Sequence, residues 1–100
     1  MELLEKMVEA GFTLRTFPNY ERHLAVEKYN CVALLEPTPQ GQWKRFSAAG
    51  YLLDGQIALL VERQGRKLFV HKSKQVQAEG NLLADFERFL AELEAILSTQ

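Results

Sequence analysis

The spacing of apolar positions along this chain changes twice, from helical to alternating and back to helical. Leu3, Leu4, Met7 and Val8 fall at i, i+1, i+4 and i+5, one stripe on a helix over residues 2–10. Gly11 follows at the position where a residue of positive φ ends such a helix. Phe12, Leu14 and Thr16 then alternate with Thr13 and Arg15, the pattern of a short strand. Pro18 biases Phe17 towards extended backbone, and Pro18-Asn19 reads as a turn.

Residues 22–35 read as a hairpin. One strand carries Leu24 and Val26, a turn lies near Tyr29-Asn30, and a second strand starts at Cys31. The rival reading is a helix after Asn19, which has the chemistry to cap it. The two-residue spacing of Leu24 and Val26 favours the strand. Residues 37–41 hold two prolines and a glycine, so they form a loop. Residues 43–53 predict a strand that is broken or bulged at Ser47-Ala48-Ala49-Gly50.

Asp54-Gly55 is a two-residue hairpin signal, because the tight turn needs positive φ twice. It joins that strand to another at 56–63. Gln64-Gly65 repeats the signal more weakly before a returning strand at 66–72. Residues 73–80 read as polar linker. Beyond them Leu82, Phe86, Phe89, Leu93 and Ile96 recur at spacings of four and three, and Leu83, Leu90 and Leu97 widen the stripe. Asn81 is the expected cap of this helix, which runs to about residue 98. The fold class is therefore α+β. A five- or six-stranded antiparallel meander is flanked by a short N-terminal helix and a long C-terminal amphipathic helix, in a single domain over 1–100.

The strand at 56–63 is apolar on both faces, with Ile57, Leu59 and Val61 on one and Ala58 and Leu60 on the other. Residues 31–35 behave alike. A half-solvated antiparallel strand alternates apolar with polar, so both strands are expected to lie centrally with both faces covered. The first helix is too short to shield a face alone. The expected arrangement is a homodimer in which an open sheet face or strand edge meets its mate.

Composition narrows the classes further. The chain is 47% apolar and 25% charged, with a net charge of −1, which gives no general attraction to nucleic acid or to an anionic membrane. The longest apolar runs are five residues, far below the roughly 20 that span a bilayer. A single cysteine, Cys31, excludes an internal disulfide framework, and the first eleven residues lack the pattern of a signal peptide. A soluble cytoplasmic protein is expected.

Charge is unevenly placed. Residues 42–74 carry a net +5, and residues 75–100 a net −4. Arg63, Arg66, Lys67, Lys72 and Lys74 crowd the second hairpin, and Trp43, Phe46, Tyr51 and Phe69 lie in the same basic run of hairpins over 42–74. Cations that track phosphates beside rings that stack bases are what a single-stranded nucleic-acid platform uses. Packing of those rings in the core and charged protection of strand edges explain the same pattern without a ligand. Trp43 beside Lys44 and Arg45, just past Gly41-Gln42, is the candidate contact point for a protein partner.

Other chemistry is sparse. Cys31 sits in an apolar run, where a thiol behaves as a small hydrophobe. His23 and His71 show none of the spacings of metal sites, so no metal or cofactor is implied. Asp54 is accounted for by its turn and Glu62 by a strand end. Gly80-Asn81 opens a helix and has the backbone to hold an anion, but capping explains it equally. No residue set argues for a reaction, and a non-enzymatic interaction or adaptor module is the expected function. The alternatives are single-stranded nucleic-acid binding through the basic residues, and a small-ligand pocket between sheet and C-terminal helix lined by Phe86, Phe89 and Leu93.

Overall fold

A computed structural model describes residues 2–17 and 22–100. The elements run in the order α1 (Glu2–Glu9), β1 (Thr13–Arg15), β2 (Leu24–Lys28), β3 (Cys31–Pro37), β4 (Trp43–Leu53), β5 (Gln56–Arg63), β6 (Arg66–His71), β7 (Lys74–Gln77) and α2 (Gly80–Leu97). The seven strands pair with their sequence neighbours, all antiparallel, in the order β1 to β7. The expected α+β meander is present, with one strand more than the six expected at most. The Pro18-Asn19 turn and the Asn19 cap fall outside the described residues.

Local sequence explains most of the connections. α1 ends at Gly11, whose φ of 92° lets its N–H reach the Val8 carbonyl while the Phe12 N–H reaches that of Met7. This pair of bonds satisfies two otherwise orphaned carbonyls and swings Phe12 into the core. Asp54-Gly55 and Gln64-Gly65 both have two positive φ values, as the right-handed twist of a tight hairpin requires. Tyr29-Asn30 turns the same way without a glycine. Asn30 is held there by a reciprocal contact: its carbonyl accepts from the Leu52 N–H at 2.8 Å, and its side-chain amide donates to the Leu52 carbonyl. The stretch 24–35 is therefore the hairpin, and the helical alternative is excluded.

The irregularity expected at 47–50 is real. The register between β3 and β4 shifts between Val32 and Leu34, because Val32 faces Gly50 and Leu34 faces Phe46. Gly50, at the end of this irregular stretch, lets β5 come close on the other side, since a Cβ there would lie 2.5 Å from the Ala58 carbonyl oxygen. β7 corrects the linker reading of 73–80. Its only apolar side chain is Val76, and its turn is made by Lys72 at φ 55° rather than by glycine. What holds it is backbone pairing with the free edge of β6. The helix start is also corrected. Glu79 occupies the cap position without a side-chain bond, Gly80 turns the chain at φ 57°, and Asn81 lies inside the first turn.

Both helices cover the same face. Leu3 and Met7 from α1, and Phe86, Phe89 and Leu93 from α2, are buried against Val26, Cys31, Ala33, Leu35, Ala58 and Phe69. The rings interlock: Phe69 meets Phe86 edge-on at 5.1 Å between centroids, and Phe12 meets Phe89 at 5.8 Å. Among the described residues no helix is long and apolar enough to cross a membrane.

Candidate functional site

Among the described residues no helix lies on the opposite face of the sheet. Strand alternation places Ala25, Val32, Leu34, Phe46, Leu52, Ile57, Leu59, Val61, Leu68 and Val70 there. The β2–β4 half is partly self-covered. Ala25, Val32, Leu34 and Leu52 are buried, with Phe17, Phe46 and Ile57 packed against them. The β5–β6 half is barer. Leu59 at its centre is 41% exposed, and Ile57, Val61 and Val70 around it are half-buried. A solvated face would carry polar side chains at these positions.

The rim of this face is polar and mostly neutralised. Arg15 pairs with Glu27 at 2.6 Å, Lys44 with Glu36 at 3.3 Å, and His23 approaches Glu36 at 3.7 Å. Gln75 and Gln77 of β7 border the bare half.

Trp43, Lys44 and Arg45 all border one cleft, but their side chains do not point to one face of the sheet. Lys44 points to the helix-free face, towards Glu36. Trp43 packs on the helix-covered core, and Arg45 pairs with Glu94 of α2 at 3.1 Å. The Trp43 backbone is clamped by Gln100, whose side-chain carbonyl accepts from the Trp43 N–H while its amide donates to the Trp43 carbonyl, both at 2.7 Å. A cleft of about 440 Å³ runs between Arg45, Glu94, Ser98 and Gln100 beside the indole. Sequence spacing had no means of pairing Trp43 with Gln100, 57 positions away.

The five basic residues of the second hairpin are also divided. Arg63, Arg66 and Lys67 lie at the Gln64-Gly65 turn. Lys72 and Lys74 lie at the far end of β6, about 16 Å away at 3.3 Å per residue. Lys74 is engaged by Asp54 at 2.7 Å, which holds the Asp54 carboxyl below its usual range. Lys67 pairs in register with Glu62 on the helix side. Phe69 is buried in the core, Trp43 and Tyr51 pack against it, and Phe46 covers Leu34, so these rings serve packing.

A charged cluster that sequence reasoning missed joins three elements. The Lys28 ammonium donates to Glu92 of α2 at 2.5 Å and to the Ala10 carbonyl at the end of α1. The Tyr29 hydroxyl donates to the other Glu92 oxygen at 2.8 Å. Lys28 also lies 5.2 Å from the centre of the Phe12 ring. The hydrogen bond from Lys28 lowers the Glu92 pKa, and the same bond raises that of Lys28. The cluster ties the end of α1, the first hairpin and α2 together without leaving a reactive group free.

Cys31 is fully buried, and burial, with a smaller push from Asp85, raises its thiol to about 12. Its S–H donates to the Tyr29 carbonyl at 3.5 Å. His23 sits by Glu36, at the other end of β3, so it is no base for this thiol. Among the described residues no three His, Cys, Asp or Glu side chains are grouped to hold a metal. Phe86, Phe89 and Leu93, expected to line a ligand pocket, are packed into the core instead. The chain matches no known family model, no curated protein and no solved structure.

Proposed function

We propose that the chain is a non-enzymatic interaction module of the cytoplasm, and that it works as a homodimer joined through the helix-free face of its sheet. The observation that carries this reading is the placement of both helices on one face while β5 and β6 keep Ile57, Leu59, Val61 and Val70 on the other. In a two-fold contact a patch meets its own copy, so a patch without charge at its centre meets no like-charge repulsion. Burying the residual exposure of these side chains in both copies contributes on the order of 5–10 kcal/mol. Association costs about 4–15 kcal/mol, which makes the dimer concentration-dependent.

Native mass spectrometry and sedimentation at several concentrations test the reading. The expected result is a growing species at twice 11.5 kDa. Leu59→Glu places a charge where the side chain is already 41% exposed, so it leaves the fold intact and removes the dimer. A monomer at every concentration, or a dimer unaffected by Leu59→Glu, overturns it.

A further inference from the structure

On β1 to β4 the charges of the helix-free face are matched: Arg15 with Glu27, and Lys44 with Glu36. At the β5–β6–β7 corner they are not. Arg63 and Arg66 stand directly opposite each other across the Gln64-Gly65 turn. Side chains in that relation start about 5 Å apart at Cβ, and like charges there destabilise a ladder. Both are exposed, and neither makes an ion pair or hydrogen bond with any described residue, Glu79 included. The nearest acid in the hairpin, Glu62, is in register with Lys67 on the opposite face.

Alternation puts Leu68 and Gln77 on the same side as the two arginines, and Gln75 two positions along. Together they line an open cavity of about 520 Å³. We propose that this corner is a binding site for a phosphate monoester dianion. Guanidinium forks match the oxygens of such a group two at a time, and the carboxamides of Gln75 and Gln77 add donors. A phosphate monoester carries about −1.5 to −2 at neutral pH, which balances two arginines. A carboxylate or an internal nucleic-acid diester carries one charge and leaves half of the site uncompensated. Leu68 offers an apolar floor to whatever bears the phosphate. The group is either a free phosphate monoester or a phosphorylated side chain of a protein. The site does not depend on the dimer.

The test is a backbone NMR titration of the whole chain with inorganic phosphate, a phosphoserine peptide, acetate and dimethyl phosphate. Inorganic phosphate is expected to shift residues 63–68 and 75–77, with a Kd on the order of 1 mM. A phosphoserine peptide that binds at least about tenfold tighter identifies a phosphorylated side chain as the source, and equal affinity identifies the free monoester. The double variant Arg63→Gln/Arg66→Gln weakens binding at least about tenfold, while Lys72→Gln at the far end of β6 leaves it unchanged. Leu59→Glu, which tests the dimer, leaves phosphate binding intact. The proposal fails if phosphate up to about 20 mM moves no signal at this corner, if acetate or dimethyl phosphate binds as tightly, or if the double variant binds normally.

Discussion

Replacing Glu92 by Gln tests how the two helices are tied to the first hairpin. The substitution preserves shape and one acceptor but removes the charge that faces Lys28 and the second acceptor for Tyr29. The Lys28 and Glu92 side chains are 17% and 33% exposed, between the surface and the interior. An exposed pair contributes about 0.2–1 kcal/mol, and breaking a buried one costs about 3–5 kcal/mol. Glu92→Gln is therefore expected to cost about 2 kcal/mol at pH 7, which lowers the Tm of a domain of this size by about 8–16 °C.

The effect depends on pH in a defined direction. Lys28 holds the folded-state pKa of Glu92 below 4.5, so its stabilisation is complete above that value and is lost as pH falls through the lower, folded value. Lys28 is raised above 10.5, so its share is complete below that value and is lost only as pH rises through the folded one. Urea unfolding of both proteins between acid and neutral pH measures the gap. It is expected to be largest near neutrality and to close in acid, where the native carboxyl is protonated and resembles the amide. A gap of equal size at acid and neutral pH would show that the cost is geometric and would refute the electrostatic account. Lys28→Met combined with Glu92→Gln should cost clearly less than the two changes added, because each removes the same contact.

Two further outcomes follow from packing. Gly50→Ala should destabilise by more than about 2 kcal/mol in thermal unfolding, because its Cβ has no room beside the Ala58 backbone and Ile57; a change under about 0.5 kcal/mol would mean that the β4–β5 ladder yields. Iodoacetamide at neutral pH should leave Cys31 unlabelled in the native protein and label it fully in urea, since burial holds the thiol near 12; rapid native labelling would show that the first hairpin opens.

The readable parts of this fold were those governed by local sterics and periodicity. Gly11, Asp54-Gly55 and Gln64-Gly65 adopt the positive φ values their residue types favour. The wide stripe of α2 buries Phe86, Phe89 and Leu93. The unbroken apolar run of β3 is buried on both faces. Each of these depends on a residue and its near neighbours. β7 was not readable, because its formation rests on the unpaired N–H and C=O groups of β6 rather than on its own polar side chains. The cap of α2 was misplaced by one such context effect, since the turn out of β7 falls at Gly80 and not at Asn81.

The candidate surfaces divide along the same line. That β5 is apolar on both sides follows from alternation alone. That both helices settle on one of those sides, leaving Leu59 bare on the other, follows from the direction in which Gly11 and Gly80 release the chain and from the depth of the Phe12, Phe69, Phe86 and Phe89 cluster. Sequence proximity suggested that Trp43, Lys44 and Arg45 act together, but strand alternation separates Lys44 from its neighbours, and Gln100 clamps Trp43 from the end of α2. The pairing of Lys28 with Glu92 joins residues 64 positions apart and leaves no periodic trace. Turns and stripes are decided within a few residues, where sterics are strong and the alternatives few. The covered face, the edge strand and the long-range charge pairs are decided by which surfaces the assembled layers bring together.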